Sequence, residues 1–68
     1  IESEAFLVYT RGGALIAHHV RYGRDYPLHA IACQHPESVR RVLEMMVKQR
    51  AISYECCQQF QREHLDAA

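Results

Sequence analysis

No stretch of this chain is long and apolar enough to span a bilayer, since runs such as Ala14–Ala17 stop far short of the ~20 residues a membrane helix needs. Charge of one sign is also missing: eight Lys and Arg balance eight Asp and Glu, for a formal net charge of zero. That balance argues against a strong sequence-independent grip on nucleic acid or on an anionic membrane, leaving only local patches for such contacts. The chain has no G-x-S-x-G, H-E-x-x-H or phosphate-loop pattern. The pair Gly12-Gly13 by itself is a turn rather than a phosphate cradle. No cofactor is expected, and the chain does not read as an enzyme, because so short a length rarely supplies both a fold and a substrate cleft. A disulfide framework is lacking as well. Cys33, Cys56 and Cys57 are odd in number, two of them adjacent, which fits a reducing cytoplasm better than a secreted scaffold.

What remains is 68 residues, of which 49% are aliphatic, aromatic or Cys and 24% charged, the balance of a globular protein rather than a disordered one. The length suits one domain, residues 1–68. A chain this short buries only ~60% of the surface its unfolded form exposes, so self-association is a natural supplement to its stability. The chain opens at Ile1 rather than Met, which is compatible with a start codon, signal peptide or further residues upstream.

The plainest local signal runs from Pro36. Its fixed φ suits the first helical position, and Glu37 beside it favours the positive end of the helix dipole. Val39, Val42, Leu43, Met46 and Val47 then fall at i, i+3, i+4, i+7 and i+8, the stripe of an amphipathic helix. After a break at Arg50–Ile52, Ser53 is placed to cap a second helix with Glu55 in its first turn, and Ile52 and Cys57 stand at the positions of a hydrophobic staple. The spacing therefore predicts a helical hairpin over 36–65. Arg40, Arg41, Lys48 and Arg50 outnumber Glu37 and Glu44 in the first arm, while Glu55, Glu63 and Asp66 outnumber Arg62 in the second. The arms are thus oppositely charged, which favours their antiparallel contact.

Residues 1–34 read as a β-meander. Phe6–Thr10 and Ala14–Tyr22 are rich in β-branched and aromatic residues and flank the connection Arg11-Gly12-Gly13. Gly23–Pro27 resembles a second turn, and Leu28–Cys33 a third short strand. Phe6, Val8, Ile16 and Val20 would face inward. The fold class is then α+β, a small antiparallel β-β-β sheet followed by an α-α hairpin. The alternative is an all-α three-helix domain, because Ala5, Val8, Tyr9, Gly12, Leu15, Ile16, His19 and Val20 also share a helical face. Two glycines inside that helix would each cost about 1 kcal/mol relative to Ala.

His18, His19, His29, His35 and His64 together with the cysteines raise the question of zinc. Neither Cys33-x-His35 nor the adjacent Cys56-Cys57 is a standard knuckle, and neighbouring helical residues diverge by about 100° around the axis. No metal site is expected. Cys57 and His64 share a helical face, but two turns separate them by ~10 Å, too far for a nucleophile and its base. Tyr9, Tyr22, Arg24, Tyr26 and Met45 are of the types enriched at protein interfaces, and Met45 lies off the main apolar stripe. They are the expected partner-binding residues of a small non-enzymatic regulator or inhibitor that binds a protein partner and forms a homo-oligomer. The alternative is a nucleic-acid-associated regulator using Arg40, Arg41 and Lys48.

Overall fold

A computed structural model describes residues 5–66. Strand β1 (Phe6–Arg11) turns into β2 (Ala14–His19) through Gly12 and Gly13. Their φ values of +57° and +83° are those of a type I′ turn, whose twist matches that of the flanking strands and which glycine adopts without steric cost. The turn closes on Arg11 opposite Ala14. A third strand, β3 (Arg24–Pro27), pairs antiparallel with β2, giving a three-stranded sheet in the order β1-β2-β3. The sheet followed by helices is the α+β class predicted, and the β1-β2 hairpin removes the all-α alternative.

Two local expectations fail. The third strand lies in the segment read as a turn, and Leu28–Ala32, read as a strand, is a short helix, α1. Leu28 and Ala32 are buried and Ile31 is half-buried, which is the i, i+3, i+4 spacing of a helix seen over too few residues to be distinctive. Arg24 and Asp25 obscured β3, yet charge is what an edge strand tolerates. The inward face of β2 also differs from expectation. Leu15, Ala17 and His19 point to the helices, whereas Ile16 is opposite Tyr9 on the other face and Val20 is 48% exposed. The stretch from Ala14 to Val20 is apolar at both parities, so alternation alone could not set its register.

The helical hairpin forms as predicted. Helix α2 (Pro36–Lys48) starts with Pro36 in its first turn, and α3 (Tyr54–Phe60) is capped by Ser53, whose Oγ accepts the Cys56 N–H at 3.0 Å. Between them, the Ala51 N–H donates to Met46 C=O and the Arg50 N–H to Val47 C=O. That is a Schellman ending, which calls for a left-handed residue at Arg50. Arg50 complies with φ +62°, despite the Cβ penalty. Beyond α3 the chain widens into a π-helical turn, Gln61–Leu65, in which the Asp66 N–H donates to Gln61 C=O at 2.7 Å. Arg40 of α2 ties this turn down, donating from Nη1 to Gln61 Oε1 (3.1 Å) and from Nη2 to Asp66 Oδ1 (3.0 Å).

The helices cover one face of the sheet. Ala17, Leu28, Ala32, Val39, Leu43, Cys57 and Phe60 form the core, flanked by Phe6, Val8, Leu15 and Ile31. Among the described residues no helix is long and apolar enough to cross a membrane. Leu43 is fully buried, so Leu43→Ala should lower the free energy of unfolding by about 2–5 kcal/mol. Urea titration followed by circular dichroism measures that loss. In the same assay Arg50→Gly should gain about 1 kcal/mol, because glycine removes the penalty of the left-handed position.

Candidate binding surface

Because the helices occupy a single face, the sheet keeps, among the described residues, an uncovered face and two open edges. On the uncovered face the register sets Leu7, His18 and Asp25 in one row across the three strands. Tyr9, two residues further along β1 and opposite Ile16, reaches Asp25 diagonally. The Tyr9 hydroxyl donates to Asp25 Oδ2 at 2.7 Å, His18 Nδ1 lies 2.6 Å from Oδ1, and Arg11 Nη2 reaches Oδ2 at 3.2 Å and the Tyr9 oxygen at 2.8 Å. The hydrogen bonds from Tyr9 and then His18, helped by the Arg11 charge, hold the Asp25 carboxyl below its usual pKa. The same Asp25 contact raises that of Tyr9. This network straps the strands together on the side with no helix behind it.

The two edges differ. Val20 N–H donates to Ala5 C=O at 3.0 Å, so Ala5 and, by antiparallel alternation, Leu7, Tyr9 and Arg11 direct their backbone groups toward β2. Phe6, Val8 and Thr10 therefore turn theirs outward, presenting three N–H donors on a strand without Pro or Lys. The same alternation leaves Asp25 and Pro27 on the outer edge of β3, and Pro27 has no N–H. β3 is short, charged and closed by proline, all devices that block strand addition, whereas β1 carries none of them in its interior.

At the end of the sheet that carries the β2–β3 connection, Phe6, His19, Tyr22 and Tyr26 with Ala30 and Ile31 line a groove of about 330 Å³. Phe6 stacks on His19 with ring centroids 4.5 Å apart, and Tyr22 meets His19 edge-on at 4.8 Å. Tyr22 and Tyr26, two of the residues expected to bind a partner, thus meet here. Arg24, opposite His19 in the ladder, shares their face. Tyr9 belongs to the opposite face, and Met45 stands 56% exposed on α2, apart from this groove. Of the basic residues considered for nucleic acid, Arg40 is committed to Gln61 and Asp66. Arg41 is exposed, and Lys48 lies beside Tyr54 along the hairpin seam.

Sequence reasoning missed a second groove, of about 310 Å³, between Leu15 and Ile16 of β2, His29 of α1 and Cys56, Phe60 and His64. His29 and His64 stack with centroids 5.1 Å apart and planes 21° from parallel. Near-parallel rings direct their nitrogen lone pairs side by side rather than onto one ion. Among the described residues no group of three or more His, Cys, Asp or Glu is placed to hold a metal. Cys57 is buried and accepts from Gln61 Nε2 at 3.3 Å, while His64 packs on Phe60 and His29. Nothing in the sequence spacing signals the approach of His29 to His64, which depends on how α1 docks.

No protein-family model matches the chain, and no curated protein or solved structure matches it. Function must be argued from the surfaces themselves. The Asp25 network gives a first test. With its pKa lowered in the fold, Asp25 stabilises the native state above the ordinary carboxylate pKa of ~4, and that contribution disappears as pH falls through the lower folded value. The thermal midpoint of the wild-type protein should therefore drop in acid more steeply than that of Asp25→Asn, the curves converging once pH has fallen below the lowered folded value of Asp25.

Proposed function

We propose that this protein is a small non-enzymatic binding module, a regulator or inhibitor that works through protein–protein contacts and self-association. The observation that carries this reading is the contrast between the two sheet edges. The outer edge of β3 is closed by charge and proline, while β1 offers the backbone groups of Phe6, Val8 and Thr10 in regular register. Strand addition to such an edge supplies main-chain hydrogen bonds without requiring a pocket.

The simplest occupant is β1 of a second copy. An antiparallel pairing centred on Val8 sets Phe6 opposite Thr10 of the second copy and joins the two sheets into one. On the uncovered face it places Leu7, 62% exposed in the single chain, beside Tyr9 of the second copy. Apolar cover for Leu7 and a doubled sheet are what a marginal domain of this size gains from pairing. The unbridged thiols Cys33, Cys56 and Cys57 support a reducing cytoplasmic setting.

Size-exclusion chromatography with light scattering tests the reading. At tens of micromolar the wild-type protein should elute at twice its 7.9 kDa chain mass. Thr10→Pro, at an exposed position, removes an outward N–H and places a ring against any added strand. It should give a monomer with an unchanged circular dichroism spectrum. A wild-type protein that stays monomeric at high micromolar concentration removes self-association from the proposal.

A further inference from the structure

The groove at the end of the sheet borders two guanidinium groups that no carboxylate among the described residues pairs. Arg21 lies over the Tyr22 ring at 5.4 Å, and Arg24 is exposed on the face shared by His19 and Tyr26. Neither guanidinium has a carboxylate partner among the described residues. The acid adjacent in sequence, Asp25, is turned to the opposite face and held there by Tyr9, His18 and Arg11. Among the described residues, the turn between β2 and β3 is thus a local positive patch bordering an aromatic hollow.

We propose that this hollow is the docking site for an acidic peptide segment of a partner protein. A single Phe, Trp or Leu of that segment enters between Phe6, Tyr22 and Tyr26, and Asp or Glu residues flanking it meet Arg21 and Arg24. The groove's volume of about 330 Å³ falls at the small end of the range for ligand pockets, ~300–1,000 Å³. The apolar anchor supplies most of the affinity, since a desolvated aromatic contact outweighs an exposed ion pair. The two arginines select for acidic flanks and speed encounter. A nucleic-acid strand fits less well, because tracking a phosphate backbone requires a run of cations, and only two stand here.

The test is selection from a phage-displayed library of random short peptides against the purified full chain, followed by anisotropy titration of a labelled winner. Selected peptides should combine one aromatic or leucine residue with two or more acids. Their affinity should fall at least ~10-fold in Tyr22→Ala, which removes the groove wall. Arg24→Glu should lower it ~3-fold or more and weaken its dependence on salt. Both positions are exposed, so circular dichroism should be unchanged. The monomeric Thr10→Pro variant should bind as the wild type does, separating this site from the β1 edge. An empty selection, winners without acidic residues, binding indifferent to Tyr22→Ala, or displacement of the peptide by oligothymidylate would each overturn the proposal.

Discussion

Three short strands cannot be covered on both faces by one helical hairpin, and the rest of the molecule follows from how that single layer is placed. The stripe of α2, with Val39, Leu43 and Met46 buried, faces inward, and Val39 and Leu43 join Ala17, Leu28 and Phe60 in one core. Ala17 is small and fully buried at the centre of β2, which lets the helices approach closely there. Larger inward residues, Phe6, Val8 and Leu15, frame the contact and remain partly accessible. Everything the helices do not reach is left to polar bonding or to solvent.

The parts legible in the sequence were those with redundant signals. The α2 stripe coincided with Pro36 at its start and an acid in its first turn, and Ser53 and Ile52 marked where the chain turns back. Adjacent glycines between two β-rich runs similarly identified the β1-β2 hairpin. Where a single signal stood alone, it misled. β2 is apolar on both parities, so Ile16 and Val20 were as plausible inside as Leu15 and Ala17. The few residues of α1 do not complete enough turns for their period to show.

The candidate surface was legible in kind but not in arrangement. Tyrosine and arginine suggested contact residues, yet the register of β3, set by only four residues, decides that Tyr22, Arg24 and Tyr26 share an end while Tyr9 belongs to the opposite face. The same register decides the fate of the charges. Asp25 is drawn to Tyr9, His18 and Arg11, and Arg40 to Asp66, so an overall charge of zero coexists with a corner at Arg21 and Arg24 that no carboxylate among the described residues pairs. Net charge bounds long-range behaviour, but pairing determines which charges are available locally.

The π-helical turn has a geometric effect on the clasp between the two helical arms. In an unbroken α-helix, positions five apart diverge by about 140° around the axis, so Gln61 and Asp66 would project in different directions. Widening the turn by one residue stacks them instead. The planar fork of Arg40 can then grip an amide with one prong and a carboxylate with the other. A surplus residue in the winding is thereby converted into a two-point latch holding the last turn against α2.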